Sequence, residues 1–386
     1  MRSEEVLVCT LLREQGDTGV QTHVRALREH LATEGGVARL VTPFSSGSAL
    51  MAPTFAMRRI VQPVSGSAGV WWYREGHRYF LERALRTAMS ESKSRVAVYA
   101  QCPVSAAAAL RVRTDERVVL AVHFNVSQAH EWADKGLIPR DGRLAASIER
   151  FEAEVLPRVD GLVFVSEYMR DVVHERIPAT RSTPWDLVPN FVDVPDATGP
   201  RLPARDLVTV GTLEPRKNHE YLLRVLATAS AMGRDFTLTV IGAGPERGRL
   251  EALARGLGVR ELVDFRGFVP DPVPLLREHR LYVHASRMES FGIAVAEAMA
   301  QGIPALVGPV GALPEVVRDG VEGSYWPLDD PTEGARRLLD MLSDESRLEA
   351  MGRRARERAR RHYAREVQAP RLVDFVCGAA SAENPR

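Results

Sequence analysis

The chain has 386 residues, a formal net charge of +1, 45% hydrophobic residues and three scattered cysteines. This length predicts two domains, because a single hydrophobic core seldom grows so large. The near-neutral charge gives no electrostatic case for nucleic acid, and the cysteines, which lack metal-ligand spacing, favour a reducing compartment. No apolar stretch approaches a membrane span, and the apolar run near the start follows two acids and indicates a buried strand. We therefore expect a cytoplasmic protein.

Short apolar runs rich in β-branched residues alternate with helical patterns in the first half. The runs lie at 6–12, 37–43, 96–100, 118–124 and 161–166, and Gly19 opens the first helical pattern. Such runs are typical of strands covered on both faces. The alternation predicts an α/β structure with a parallel sheet.

The second half restarts the same pattern after a segment rich in Pro, Asp and Gly at 193–206, which predicts an interdomain linker. Further apolar runs lie at 206–213, 236–242, 263–269, 281–286, 304–308 and 324–327, with helices expected from His219 and Pro245. Two doubly wound halves predict Rossmann-like domains facing a central cleft. We place them at 1–195 and 196–363, with a C-terminal helix of about 364–386 packing back on the first domain. Ligands in such sheets bind beyond the carboxyl ends of the strands.

The stretch 289–304 contains two glutamates, Glu289 and Glu297, on either side of a Phe291-Gly292 step that opens an apolar helix. The pattern predicts Glu289 in the loop before the helix and Glu297 about a turn and a half inside it. Unpaired N–H groups and the positive dipole end suit a phosphate there. Carboxylates accept hydrogen bonds from vicinal hydroxyls, so the pair favours a nucleotide-sugar site. The alternative is a surface helix with two solvated glutamates.

Two further stretches follow predicted strands. Arg216 and Lys217 come soon after the strand that ends near Gly211. The Arg216 guanidinium, which can donate two parallel hydrogen bonds, and the Lys217 ammonium would together neutralise a diphosphate there. Two ordinary surface cations are the alternative. His123 ends an apolar strand, which favours a site role over packing.

The glycine-rich stretches at 16–24 and 242–248 lack the full G-x-G-x-x-G spacing, so they do not support a nicotinamide cofactor. Gly19 would let the backbone approach a ligand closely. We interpret 242–248 as a structural turn.

Two segments are basic. Residues 353–365 contain seven arginines against one glutamate, and 77–95 mix basic and aromatic residues. A solvated helix surface is the favoured interpretation of both, and contact with an anionic membrane or substrate is the alternative.

Several of these stretches together resemble a retaining glycosyltransferase of family 4 with the GT-B architecture. They are GTLEPRKN, ESFGIAVAEAMAQGIP, the His123 strand, VPNFVD, FRGFVP and GALPEVVRDGVEG. Along the chain the motifs occur in the order typical of the family, and they span residue 16 to about 325. The resemblance implies a donor site and a reacting centre. Glu289 matches a ligand of the donor sugar, Glu297 of the ribose hydroxyls and Lys217 of the distal phosphate, while His123 matches a histidine near the transferred sugar.

The remaining donor-site residues follow from the same resemblance. Thr212 stands where the family usually has an arginine, and Arg216 is the candidate to supply that charge. Backbone groups of Phe291, Gly292 and Ile293, next to Ser290, would meet the sugar and phosphates. Backbone at Gly267 and Phe268 would contact the nucleobase, and Gly19 matches the second glycine of an N-terminal Gly-Gly pair.

The implied reaction moves a sugar from a nucleotide-diphosphate sugar to an acceptor with retained configuration, without a cofactor or a metal. We expect a UDP-sugar, with a GDP-sugar second, and front-face attack assisted by the leaving phosphate. The acceptor would be a small molecule, a saccharide or a lipid-linked group, met by Gln101, His123, Asn125 and Gln128. Such chemistry fits bacterial natural-product or cell-envelope biosynthesis. Peripheral membrane contact is not favoured. A GT-B phosphorylase and a catalytically silent nucleotide-sugar-binding protein remain alternatives.

Overall fold

The computed structural model describes residues 4–14, 19–195 and 203–379, and the chain divides into two compact units. Unit 1 is built from the chain up to Pro189 and again from Gln368, and unit 2 is Asn190–Val367. The linker predicted at 193–206 is described only as far as 195 and from 203, and its remaining residues lie outside the described ranges. What each unit binds stays a prediction.

Unit 1 contains a parallel sheet of six strands in the order β2-β1-β3-β4-β5-β6. Cys9 pairs with Val41 on one side and with Ala100 on the other, so the strands end at a common edge. Strand β2 lies on one side of β1, and the later strands lie on the other side. The switch point of the sheet therefore lies between β1 and β3. The strands are β1 Glu4–Cys9, β2 Val37–Val41, β3 Arg95–Ala100, β4 Arg117–Val122, β5 Gly161–Phe164 and β6 Trp185–Leu187.

The helices of unit 1 other than α2, which has no buried residue, bury apolar faces against this sheet or against one another. Local capping fixes several starts, because the hydroxyls of Ser65, Ser127 and Ser166 accept the first N–H groups of the helices that follow them. The helices are α1 Gly19–Thr33, α2 Met51–Val64, α3 Gly66–Glu91, α4 Pro103–Val112, α5 Gln128–Asp134, α6 Arg143–Val155 and α7 Glu167–Arg176.

Unit 2 repeats the design with six parallel strands in the order β12-β11-β10-β7-β8-β9. Here β8 and β9 extend to one side of β7, and β10 to β12 extend to the other, so the switch point lies between β7 and β10. The strands are β7 Arg205–Val210, β8 Leu238–Ile241, β9 Val263–Gly267, β10 His279–His284, β11 Ala305–Val307 and β12 Gly323–Tyr325.

Helices cover the unit 2 sheet around a core that includes Trp326. This indole is 2% exposed, its Nε1 donates to the His284 carbonyl at 3.1 Å, and it meets the Tyr221 ring edge to face. The helices are α8 His219–Ala231, α9 Arg247–Gly256, α10 Val273–Leu276, α11 Ile293–Ala300, α12 Leu313–Val316, α13 Pro331–Ser343 and α14 Glu345–His362.

The last helix, α15 Arg365–Cys377, returns to unit 1 from Gln368 onward. Phe375 packs where a side chain on Gly161 would stand, since a Cβ there would lie 2.9 Å from the ring. Arg117 lies over the same ring at 5.6 Å, and Arg371 pairs with Asp186 on β6. The helix thus completes unit 1 next to β5 and β6.

The predicted α/β class with parallel sheets is confirmed, and each predicted apolar run overlaps a strand. The helix expected from His219 begins there, whereas the one expected from Pro245 begins at Arg247. Strand β6 was not predicted. It has three residues with a charged Asp186 at its centre, so it shows no apolar run.

The interpretation of 77–95 as a solvated helix surface holds for Arg83, Arg86 and Lys93, which are exposed, but not for the apolar face of the helix. Residues 77–91 form the second half of α3, in which Phe80, Leu81 and Leu85 are buried. Most of the arginine-rich segment forms the last turns of α14. There Arg354 donates to the Val321 carbonyl and Arg358 donates to the Val316 carbonyl. Part of the basic face of α14 therefore binds the helix to the rest of unit 2. Within residues 4–14, 19–195 and 203–379, every helix is too short or too polar to cross a membrane.

Candidate functional site

The switch point of the unit 2 sheet brings two loops together. Strand β7 ends at Val210 and is followed by 211–217, and β10 ends at His284 and is followed by 285–292. Because β7 and β10 are neighbours, both loops leave the same edge of the sheet. The backbone N–H of Arg287 donates to the Arg216 carbonyl at 2.9 Å, which joins the two loops directly.

Glu289 is the centre of a charged cluster in these loops. Its side chain is 9% exposed, and its Oε1 accepts a hydrogen bond from Lys217 Nζ and lies 3.0 Å from His284 Nε2. Arg216 Nη1 lies 3.6 Å from the same oxygen, donates to the Met288 carbonyl at 2.8 Å, and its Nη2 pairs with Glu214 at 2.9 Å. Arg216 and Lys217 are therefore not ordinary surface cations, because both are bound into a buried cluster.

The cluster fixes the charge states of its members. Burial by itself would raise the pKa of Glu289, but Lys217, the His284 hydrogen bond and Arg216 outweigh it and hold that pKa well below its ordinary value. Burial lowers the pKa of His284, although Glu289 opposes this effect. At neutral pH the glutamate is thus ionised and the imidazole is neutral, with its Nε2–H donated to Glu289.

The two glutamates lie where the sequence pattern predicts them. Helix α11 begins at Ile293, so Glu289 precedes it and Glu297 lies in its second turn, half-buried. Gly292 has φ 97°, and a Cβ there would lie 2.8 Å from the Leu313 side chain, so only glycine fits this helix start. Both carboxylates raise the pKa of the buried Tyr282, after the larger effect of burial.

The other donor-site candidates lie after β7, at the end of β9 and after β10. Thr212 is half-buried, and its carbonyl accepts from the Glu214 N–H at 2.9 Å. Gly267 ends β9 with φ 74°, and its carbonyl accepts from the Gly242 N–H at 2.8 Å. Phe268 follows it and is 50% exposed. Ser290 lies between Glu289 and the buried Phe291, whose ring meets Tyr363 edge to face.

The glycine turn at 242–248 packs on the loop after β7. A Cβ on Gly242 would lie 1.9 Å from the Gly211 carbonyl oxygen, and one on Gly244 would lie 2.4 Å from that of Leu213. These glycines allow backbone to touch backbone, which agrees with the structural role expected from the sequence.

Three buried polar atoms near this edge have no hydrogen-bond partner among the described residues. They are Asn218 Nδ2, His219 Nδ1 and Ser286 Oγ. Buried polar groups are normally satisfied by protein, water or ligand, so these atoms are open to hydrogen bonds from water or from a polar ligand. Sequence reasoning missed them and also missed His284. The position of His284 at the end of an apolar strand, which was the reason for choosing His123, would have identified it.

The buried His219 gives a test of this electrostatic description. Burial, Lys217 and His284 lower its pKa to about 3 from an ordinary 6.5. The unfolded chain therefore binds more protons than the folded one between these values, so stability from the neutral ring is present above pH 6.5 and is lost as pH falls toward 3. We expect His219→Gln to flatten the fall of unfolding free energy below pH 6.5 by up to about 1.4 kcal/mol per pH unit. Denaturant titrations at several pH values measure it, and equal slopes for both proteins would contradict it.

A second polar cluster lies at the β1/β3 edge of unit 1. Gln101 follows β3, His123 follows β4, and His23 lies on α1. His123 Nε2 lies 3.1 Å from Gln101 Oε1, and the two imidazole rings meet edge to face at 5.0 Å. His23 Nε2 also lies 3.3 Å from the Tyr99 hydroxyl. Sequence reasoning missed His23, because the helical pattern of 19–33 gives no sign of which residue faces the sheet edge.

The hydrogen bonds of this cluster assign the tautomer of His123. Gln101 Nε2 donates to the Tyr99 carbonyl at 3.4 Å, and a carbonyl can only accept, so Gln101 Oε1 faces His123. His123 Nε2 must therefore carry the proton, which leaves Nδ1 with a lone pair. Burial lowers the pKa of His123 to about 4, so the ring is neutral at pH 7.

The other acceptor-side candidates are held by neighbours within unit 1. Gln101 is 4% exposed and contacts His123. The Asn125 N–H donates to Glu131 at 3.0 Å, and Gln128 Oε1 accepts from Arg74 at 3.2 Å. Gly19 begins α1, but the rest of the predicted 16–18 loop lies outside the described residues. In the described part of the chain, no group of three or more His, Cys, Asp or Glu is placed to hold a metal ion.

Two family models match the chain. The model described as glycosyl transferases group 1 matches residues 195–358, and that described as glycosyltransferase family 4 matches residues 18–195. A D-inositol 3-phosphate glycosyltransferase from Geodermatophilus obscurus is 36% identical over 161 residues, which cover 38% of this chain and 35% of that protein. An N-acetyl-alpha-D-glucosaminyl L-malate synthase from Bacillus anthracis is 36% identical over 123 residues, 32% of each chain. The matched segments thus span about a third of these curated relatives.

Solved structures share the fold over nearly the whole length. Sucrose-phosphate synthase from Thermosynechococcus elongatus superposes with a TM-score of 0.74 at 18% identity, covering 98% of this chain and 100% of that one. The Anabaena protein HepE in complex with UDP-glucose gives 0.70 at 16% identity, with 97% and 99% covered. Together with the two family models, these likenesses show that the chain belongs to the family 4, or group 1, glycosyltransferases with the GT-B fold.

Proposed function

We propose that this protein transfers a sugar from a nucleotide-diphosphate sugar to a hydroxyl or similar group of an acceptor, with retention of configuration and without a metal. The observation that carries the proposal is the charged cluster at the β7/β10 edge, where Lys217, Arg216 and Glu289 meet next to α11. Cations at the carboxyl edge of a switch point suit a diphosphate.

The donor would exchange partners within this cluster. Its diphosphate would bind Lys217 and Arg216, and Glu289, no longer held by Lys217, would accept hydrogen bonds from the sugar hydroxyls. Glu297, one turn into α11, would accept from the ribose. Backbone N–H groups at the start of α11 add partial positive charge beside the phosphates.

In the transfer step, the bond from the anomeric carbon to the phosphate oxygen breaks, and the acceptor oxygen bonds on the same face. The acceptor proton passes to the leaving phosphate oxygen. Lys217 and Arg216 stabilise the charge that grows on the diphosphate as it leaves. Front-face attack predicts no covalent intermediate, so a glycosyl-enzyme adduct trapped and seen by intact-mass spectrometry would contradict it.

The proposed substrates follow the chemistry named for relatives. HepE has been solved with UDP-glucose, which supports a UDP-sugar donor. A relative from Mycolicibacterium smegmatis, 30% identical over 188 residues, is named as GDP-mannose-dependent, which supports a GDP-sugar as the second choice. Relatives named for inositol phosphate and malate support a small polar acceptor, for which a cyclitol or saccharide is our proposal.

A thermal-shift panel with UDP, GDP, dTDP and ADP, and with their common sugar conjugates, tests the donor site. A ligand at a hundred times its Kd stabilises the folded state by about 2.7 kcal/mol. We expect a shift with one base only, which would fix the donor class. No shift with any nucleotide would overturn the proposal and favour a phosphorylase, which breaks a glycoside with phosphate and needs no nucleotide.

Glu297→Ala should chiefly weaken donor binding. Loss of the ribose contact weakens binding of the ground state and of the transition state equally. We therefore expect KM for the donor to rise about tenfold while kcat changes little. Steady-state kinetics measure both values. Glu261→Ala, which removes an exposed glutamate of the same unit, serves as the control. A fall in kcat at unchanged KM would contradict this role for Glu297.

A further inference from the structure

Arg58, on α2, is a half-buried cation that pairs with no carboxylate of the described chain. Its Nε donates to Gln62 Oε1 at 2.8 Å, one turn further along the helix, and its guanidinium lies over the Tyr73 ring at 4.5 Å. Residues 35–74 contain no aspartate or glutamate. Charged groups that are partly removed from water are usually paired with an opposite charge. Arg58 is therefore a candidate to bind an anion that a ligand supplies.

The ring beneath Arg58 is fixed by its neighbours. The Tyr73 and His77 rings lie 3.8 Å apart between centroids, and His77 stacks on Phe55 at 4.4 Å. His77 Nδ1 lies 2.7 Å from the Tyr73 carbonyl, and a carbonyl can only accept, so Nδ1 carries the proton. Burial lowers the pKa of His77 to about 4, the Tyr73 carbonyl opposes this effect, and Arg58 adds to it. The imidazole is thus neutral at pH 7, and Arg58 rests on a neutral, closely packed set of rings.

Tyr73 also links Arg58 to the candidate acceptor residues. Its ring meets Trp132 of α5 edge to face at 5.6 Å. Helix α5 begins at Gln128, shortly after His123 at the end of β4. One aromatic ring therefore lies between Arg58 and the helix that follows the His123 loop, within a single unit of the chain.

We propose that Arg58 binds an anionic group of the acceptor, a phosphate or a carboxylate, so that unit 1 selects acceptors that carry a negative charge. This inference rests on the proposed transfer reaction and adds the charge of the acceptor to it. The Arg58 Nη1 and Nη2 atoms donate to no residue of the described chain. They offer two parallel donors, which match the two oxygens of either anionic group. The acceptor hydroxyl would lie at the other end of the ligand, nearer His123.

Isothermal titration calorimetry of the full chain tests this proposal with matched pairs of ligands. We expect myo-inositol 1-phosphate and glucose 6-phosphate to bind, and myo-inositol and glucose to bind at least about tenfold more weakly. Arg58→Gln should weaken binding of the phosphorylated compounds at least about tenfold. Arg58→Lys should restore part of it, because an ammonium keeps the charge but not the two parallel donors. Arg59→Gln, which removes the exposed neighbouring arginine, is the matched control and should bind as the wild type does.

Two further titrations identify the site and the source of the phosphate. Phosphate bound at the Lys217 cluster would be lost in Lys217→Ala, whereas phosphate bound at Arg58 would be retained. Vesicles containing phosphatidylinositol, compared with soluble myo-inositol 1-phosphate, distinguish a lipid headgroup from a soluble acceptor. Tighter binding that depends on Arg58 in either titration supports the proposal and names the source.

These titrations contain no nucleotide, so their outcome is independent of the thermal-shift panel that tests the donor site. Circular dichroism and Tm check that the Arg58 variants are folded. Absence of phosphate binding by the wild type, or equal binding of the phosphorylated and neutral compounds, would overturn the proposal. So would wild-type binding by a folded Arg58→Gln protein, or loss of binding in Lys217→Ala.

Discussion

Replacing Lys217 with alanine should lower kcat about 10²- to 10³-fold, with a smaller change in KM. Its Nζ lies at the carboxyl edge of β7, where it hydrogen-bonds Glu289. In the proposed reaction, the charge on the leaving diphosphate grows toward the transition state, so a cation held there acts more strongly on the transition state than on the bound donor. Steady-state kinetics with the donor identified by the thermal-shift panel measure both constants.

The control for this prediction is Lys93→Ala, which removes an exposed lysine of unit 1 and should leave both constants unchanged. Arg216 and His284 still contact Glu289 in the Lys217 variant, so the fold should persist and Tm should confirm it. If kcat and KM both stayed at wild-type values in a folded variant, the diphosphate site would be placed wrongly.

The second large effect concerns stability. Glu152→Ala should lower the free energy of unfolding of unit 1 by about 3–5 kcal/mol. The carboxylate is 0% exposed, pairs with Arg176 at 2.7 Å, and accepts the Gln128 N–H at the start of α5 at 2.8 Å. Burial raises its pKa, although Arg176 and these hydrogen bonds oppose the rise. Alanine would leave the partly buried Arg176 without its partner and a helix N–H without an acceptor.

Glu154→Ala is the matched control, because Glu154 lies on the same helix and is exposed. We expect that variant to stay within about 0.5 kcal/mol of the wild type in denaturant unfolding. A loss below about 1 kcal/mol for Glu152→Ala would show that α5 and Arg176 find other partners.

The strands were predictable because parallel strands covered on both faces require short, nearly continuous apolar runs, and eleven such runs are present. The buried face of α3 was not predictable from composition. Polar residues on this face are satisfied by partners far along the chain, as Arg74 is by Gln128. A segment rich in arginine and histidine therefore resembles a solvated surface until its tertiary partners are known.

The site divides in the same way. The placement of Glu289 before a helix and Glu297 within it is encoded locally by the Phe291-Gly292 step, so sequence predicts it. The partners of Glu289 are not local. Lys217 lies 72 residues away and reaches it only because β7 and β10 are neighbours. Strand order also places Asn218, His219 and Ser286 at this edge, and no sequence motif predicts that placement.

The return of α15 to unit 1 has a consequence for synthesis on the ribosome. Unit 2 is one continuous segment, Asn190–Val367, whereas unit 1 needs residues from both sides of it. The whole of unit 2 must be translated before Phe375 can pack on Gly161 and Arg371 can reach Asp186. The strands that are translated first, including β5 and β6, therefore lack their last covering helix until α15 has been translated. By then the whole of unit 2 is present, so the second half of the protein is able to finish folding first.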